Sequence, residues 1–200
     1  MGDPVVPQVL DLLRSRPTLP GGGRLLCIDG PAGSGKTTLA DGVTDAFAGS
    51  SLVIRMDDLY LGWSGVDAAL GPRVAEQITE PFAAGRPGSY RRFDWERNEL
   101  AEQHDVSPVD LLVLEGVGSG ARAIAPHRTA LIWVSAPDDL RLSRGMARDR
   151  ALHERDDVEW DVEEQRRHWD RFVVDEARHF VASGLPAAAD LMVDGTRTIS

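Results

Sequence analysis

The sequence predicts a doubly wound α/β domain: a mainly parallel five-stranded sheet with helices on both faces and a small helical lid. Two observations point to it. Five short apolar runs are continuous rather than alternating, as in parallel strands covered on both faces, and the segments between most of them are long enough for crossover helices. The first run leads directly into Gly30-Pro31-Ala32-Gly33-Ser34-Gly35-Lys36-Thr37, which fits G-x-x-x-x-G-K-[ST] between a strand and a helix.

Val5, Val9, Leu12 and Leu13 lie at helical spacing, and Pro17 through Gly23 break the pattern, so residues 1–23 read as an N-terminal helix on a flexible joint. The strands are then Leu25-Leu26-Cys27-Ile28, Leu52-Val53-Ile54, Leu111 to Leu114, Ala130 to Val134, and Leu191-Met192-Val193. Helices are expected over Thr37–Phe47, Asp138–Arg150 and about Val158–Ala182; in the last, Trp169, Phe172, Val173, Ala177 and Phe180 form a stripe assigned to the core. Residues 56–104 break the alternation with glycines, prolines and aromatics. So long an insertion in a compact domain is read as a substrate flap, with a structural elaboration or an oligomer contact as the alternative.

A chain of 200 residues suffices for a single domain with one core. Its 42% apolar and 27% charged residues are those of a globular protein, and no apolar run approaches the roughly 20 residues of a membrane span. Met1-Gly2-Asp3-Pro4 shows no basic leader, so the expected location is cytoplasmic. A net charge of −10 argues against nucleic acid or an anionic membrane as partner. His104, His127, His153, His168 and His179 pair with no His or Cys at metal-ligand spacing, so no transition-metal site is expected. Cys27, the only cysteine, reads as a small buried residue.

Gly30, Ala32, Gly33, Ser34, Gly35, Lys36, Thr37 and Thr38 are the candidate cradle for nucleotide phosphates. Glycines let backbone N–H groups turn inward, the helix start adds its positive end, Lys36 adds a mobile charge, and the Thr37 hydroxyl suits Mg²⁺. Asp57 and Asp58 follow the second strand, at the sheet end where ligands collect; one of them could accept a proton from a substrate hydroxyl, or both could cap a turn. Glu115 follows the third strand, where an acid can hold Mg²⁺, and Gly116 removes bulk where a ligand could pass. Arg141, Arg144 and Arg148 recur on one helical face. They could spread charge on a transferred phosphoryl group, or pair with Asp138, Asp139 and Asp149 on a solvated face.

Taken together, these motifs resemble the uridine kinase, nicotinamide riboside kinase and phosphoribulokinase group of P-loop kinases, from about Leu25 to Gly195. Ile28 through Thr38 is similar to that group's phosphate loop, and Asp57-Asp58-Leu59-Tyr60 to its D-[SD]-F-[YF] element. Leu112 to Gly116 is similar to its apolar strand ending in E-G, and Arg141 to Asp149 to its lid pattern R-L-x-R-x-x-x-R-D. The resemblance implies Asp57 as general base, Tyr60 as a lining of the acceptor pocket, and Thr37 and Glu115 as partners of Mg²⁺. It also implies Arg144 and Arg148 as arginines of a lid over 138–157, and a last strand whose following loop lies near the adenine. Tyr90 to Trp95 stands in the acceptor-binding segment without the F-D-H-P form of uridine kinases, and no R-G step follows the lid.

The implied activity is transfer of the γ-phosphoryl group of ATP, with Mg²⁺, to a hydroxyl of a nucleoside or similar small molecule. Tyr60, Trp63, Phe93 and Trp95 could stack a flat base, while Arg91 and Arg92 could recognise an anionic acceptor instead. The alternatives are a kinase for another metabolite or an antibiotic, and an ATP-binding switch without an acceptor. A homo-oligomer is compatible with the sequence, and so is GTP in place of ATP.

Overall fold

The computed structural model describes residues 4–62, 66–95, 97–156 and 160–197, with residues 152 and 156 as backbone only; Trp63 lies outside them. Strands β1 (Arg24–Asp29), β2 (Ser51–Arg55), β5 (Leu111–Glu115), β6 (Ala130–Ser135) and β7 (Leu191–Asp194) form one parallel sheet in the order β2-β5-β1-β6-β7. The expected five-stranded α/β sheet is therefore present. Strands β3 (Gly88–Asp94) and β4 (Glu99–Val106) form a separate antiparallel hairpin.

Alternation along the buried strands divides the core in two. Leu26, Ile28, Leu111, Val113, Ile132 and Val134 face helices α1 (Val5–Ser15) and α2 (Lys36–Ala46), packing on Val9, Leu13, Leu39 and Val43. Leu25, Cys27, Leu112, Leu114 and Leu131 face the other way, toward the insertion and helix α6 (Val162–Ser183). Both faces are covered, which is why the runs are unbroken. Burial pushes the Cys27 thiol up to about 12, so it is the inert packing residue expected.

The joint after α1 is tied down. Gly21 N–H donates to Ala83 O at 2.8 Å, Arg16 reaches Thr129 O at 2.8 Å and Asp190 at 2.7 Å, and Arg24 Nε reaches Leu13 O at 2.9 Å. These bonds anchor the joint to the domain, and α1 packs its buried face into the core.

The insertion holds helix α3 (Leu70–Val74), a wider π turn over Ala75–Thr79, helix α4 (Glu80–Ala83) and the β3–β4 hairpin. Helix α5 (Asp138–Asp156) continues six residues beyond the expected Arg150. On α6 the expected apolar core stripe is not the buried face. Trp169, Phe172, Val173 and Phe180 are half-buried and Ala177 is exposed, while Gln165, Glu176 and Ser183 are buried. Phe180 still meets Trp133 edge-on at 4.7 Å, and Phe172 meets Tyr60 at 5.9 Å.

Candidate active site

The loop between β1 and α2 has the shape of a phosphate cradle. Gly30, Gly33 and Gly35 all have positive φ, and the N-cap of α2, Gly35, offers no side-chain cap, so the first helical N–H groups remain available to an anion. A Cβ on Gly33 would collide with the Arg141 carbonyl, so α5 seats its first turns against the loop. Lys36 Nζ donates to Gly30 O at 2.8 Å and Pro31 O at 2.9 Å. Burial lowers its pKa, opposed by the carboxylates of Glu115, Asp29, Asp57 and Glu176. Ser34 Oγ is buried without a partner, while Thr37 and Thr38 are exposed on the first turn of α2.

Below this loop, Thr37 Oγ1 donates to Glu115 Oε1 at 3.1 Å across the ends of α2 and β5. Burial raises the Glu115 pKa, with Lys36 opposing and Asp57 reinforcing the shift. Two hard oxygen donors beside a phosphate cradle fit Mg²⁺, which takes few protein ligands and shares phosphate oxygens and waters. Among the described residues no group of three or more His, Cys, Asp or Glu forms a self-contained metal cage. Arg55 also reaches Glu115, at 3.5 Å. Gly116 has a backbone reason to be glycine. Its φ of 125° and the Met56 side chain, 2.8 Å from where a Cβ would lie, demand glycine there.

Asp57 and Asp58 sit in a single 3-10 turn, Met56–Asp58, rather than on an extended strand end. Asp57 is exposed, and its charge acts on Lys36, Glu115, Arg148 and Tyr60. Asp58 is half-buried against the hairpin, its pKa raised by burial and by Asp57 and held back by Arg92, His104 and Arg55.

The three arginines of α5 divide as well. Arg141 is buried, donating to Glu176 at 3.0 Å and Asp138 at 2.8 Å, so it belongs to the scaffold and not to a mobile charged face. Arg144 donates to Gly195 O at 3.0 Å and Gly33 O at 3.4 Å, bridging the phosphate loop and the loop after β7. Arg148, exposed on α5, pairs with Asp149 at 2.9 Å.

No protein-family model matches the chain. A uridine kinase of Latilactobacillus sakei is 26% identical over 141 residues, which cover 62% of this chain and 66% of that protein, just under two thirds of its length. A Bacillus stearothermophilus protein described as a possible uridine kinase superposes with a TM-score of 0.67 at 17% identity, over 94% of this chain and 97% of that one. The chain has the fold of the uridine-kinase-like P-loop kinases. That fold also carries other chemistry, since the D-glycerate 3-kinase of Cryptococcus neoformans superposes with a TM-score of 0.57 at 13% identity, over 99% and 98% of the two chains.

Within the uridine-kinase-like fold, the hairpin sorts the expected acceptor residues. Trp95, 38% exposed, donates its Nε1 to Asp57 O at 3.2 Å and meets Phe93 edge-on at 5.4 Å and Tyr60 at 6.4 Å. Tyr60 itself is buried and its hydroxyl donates to Val117 O at 2.7 Å, so it forms the floor under Trp95 rather than an open wall. Phe93 is likewise buried. Arg91 is turned onto its own hairpin, donating to Leu100 O at 2.6 Å and Ala101 O at 2.9 Å. Arg92 makes a two-pronged pair with Glu102 at 2.7 and 3.2 Å, which holds the Glu102 carboxyl down to about 2.

Sequence reasoning missed Asp29, Arg55, Glu176 and His179. Asp29, fully buried, accepts the N–H groups of Gly30 at 2.7 Å and Gly120 at 2.7 Å. The available signal was the spacing of Glu176, His179 and Ser183 along one face of α6.

Proposed function

We propose that this chain is an ATP- and Mg²⁺-dependent kinase that transfers the γ-phosphoryl group to a hydroxyl of a nucleoside or similar small neutral molecule. The observation that carries the reading is the placement of Asp57, exposed beside Trp95 while its charge acts on Lys36, Glu115 and Arg148. A nucleotide-binding switch has no need of a carboxylate there.

ATP supplies the phosphoryl group, and Mg²⁺ offsets charge on its phosphates. The backbone N–H groups at the start of α2 and the Lys36 ammonium hold the phosphates, and Thr37 and Glu115 hold the metal. Asp57 orients the acceptor hydroxyl and takes its proton as the phosphoryl group moves. Arg148 adds positive charge from the lid side, while Arg144 holds the two nucleotide-facing loops together.

The polarity of the acceptor side favours a neutral substrate over an anionic one. Arg91 and Arg92 are committed to the hairpin, and Asp57 and Asp58 leave that side acidic. Trp95 offers a partly open ring for a flat base, and the carboxylates suit hydroxyl groups. The test is release of ADP with a panel of nucleosides, neutral polyols and phosphorylated sugars. Neutral hydroxyl compounds should accelerate it and phosphorylated sugars should not. Hydrolysis indifferent to every acceptor would overturn the reading.

A further inference from the structure

Helix α6 presents a polar stripe to the phosphate loop. Glu176, 2% exposed, accepts the Ala32 N–H through Oε2 at 2.8 Å and Arg141 Nη1 through Oε1 at 3.0 Å; the same Nη1 donates to Ala32 O at 3.3 Å. One buried ion pair thus holds both the N–H and the carbonyl of Ala32. One helical turn on, His179 Nε2 lies 3.2 Å from Asp29 Oδ2, and Ser183 Oγ lies 3.3 Å from His179 Nδ1. With the proton on Nε2 the imidazole donates to Asp29 and accepts from Ser183. The stripe therefore reaches the loop at its crest and at its base.

A buried ion pair is a poor source of net stability, since apolar residues of similar volume often serve as well. What this pair adds is direction, because it fixes the two peptide groups that flank Ala32 in a glycine-rich loop, holding the Ala32 N–H on Glu176. Its members also come from α5 and α6, the two helices on either side of 157–159. The Arg141 carbonyl lies against Gly33, so the same residue bounds the loop through its backbone.

We propose that Glu176 and Arg141 are positioning residues that clamp the backbone of Ala32, hold the phosphate loop ready for nucleotide, and tie α5 and α6 to it. The clamp acts through the loop and touches no substrate. Its role in nucleotide binding rests on the reading given above, while the clamp itself is measurable without nucleotide.

The test is amide hydrogen exchange at Ala32 in the nucleotide-free full chain, followed by calorimetric titration with ADP. In Glu176→Ala the Ala32 amide should exchange about 10-fold faster or more, as expected for loss of a hydrogen bond to a charged acceptor, while Leu26 and Ile28 in β1 stay protected. ADP should bind about 10-fold more weakly. Glu176→Gln, which keeps an acceptor oxygen, should restore Ala32 protection and most of the affinity. Arg141→Lys, a milder change, should weaken ADP binding while leaving Ala32 protected. Unchanged exchange at Ala32 in Glu176→Ala overturns the clamp, and so does a rise shared equally by β1, which would mean general loss of stability. A released Ala32 with unchanged ADP affinity overturns its role in nucleotide binding. If the wild type binds no ADP, the kinase reading fails and exchange at Ala32 still decides the clamp.

Discussion

Asp57 and Asp58 are neighbours in one 3-10 turn yet act on different halves of the site, Asp57 on Lys36, Glu115 and Arg148, and Asp58 on Tyr90 and Arg92 of the hairpin. Asp57→Asn should therefore lower kcat by roughly 10²-fold or more, the range for a positioned base, with nucleotide affinity kept. Asp58→Asn should act mainly through the KM of the acceptor. Steady-state kinetics on both variants checks this, and a larger kcat loss in Asp58→Asn would reverse the assignment.

Asp58 also gives a pH prediction. Its folded pKa lies above its ordinary 3.8, chiefly through burial, so it favours the folded state while protonated and that contribution is lost as pH rises through the raised value. Asp58→Asn does not titrate. The difference in Tm between Asp58→Asn and wild type should shift in favour of the variant as pH rises from about 4 to about 6. Calorimetry across that range reads it, and a difference moving the other way contradicts the raised pKa.

Lys36 is held only by two loop carbonyls among its hydrogen bonds, on a side chain that reaches the cradle rather than the apolar core. Lys36→Ala should abolish turnover while Tm stays close to wild type. Normal activity at saturating Mg²⁺ and ATP would remove this residue from the site.

Arg144 and Arg148 should separate in kinetics. Arg148→Ala should lower kcat by about 10²-fold, as for loss of a preorganised charge, with little change in nucleotide affinity. Arg144→Ala removes the bridge from Gly33 to Gly195 and should weaken nucleotide binding as well. Hydrogen exchange across 141–150 should slow when a non-hydrolysable ATP analogue and Mg²⁺ are added. Unchanged exchange with wild-type kinetics in both variants would return these arginines to a solvated face.

The sheet was legible because its strands are buried on both faces and therefore continuous in the sequence, as in Leu111 to Leu114. The glycine-rich turn between β1 and α2 was legible because positive φ angles at Gly30, Gly33 and Gly35 require glycine. The inner face of α6 was not. Its aromatic spacing suggested a core stripe, but the loop it covers is polar, so Glu176 and His179 turn inward to the Ala32 and Asp29 groups while Val174 and Val181 stay exposed. Arg91 and Arg92 could not be sorted from spacing, because their partners, Leu100, Ala101 and Glu102, lie on the opposing strand.

Phosphoryl transfer should go to an acceptor hydroxyl oriented by Asp57. Incubating wild type and Asp57→Asn with γ-labelled ATP, Mg²⁺ and the best acceptor from the neutral panel follows the label directly. Wild type should place label in a phosphate monoester of the acceptor, and Asp57→Asn at least roughly 10²-fold less at equal time. Label appearing only as inorganic phosphate, at the same rate with and without acceptor, would rule out transfer to an acceptor hydroxyl.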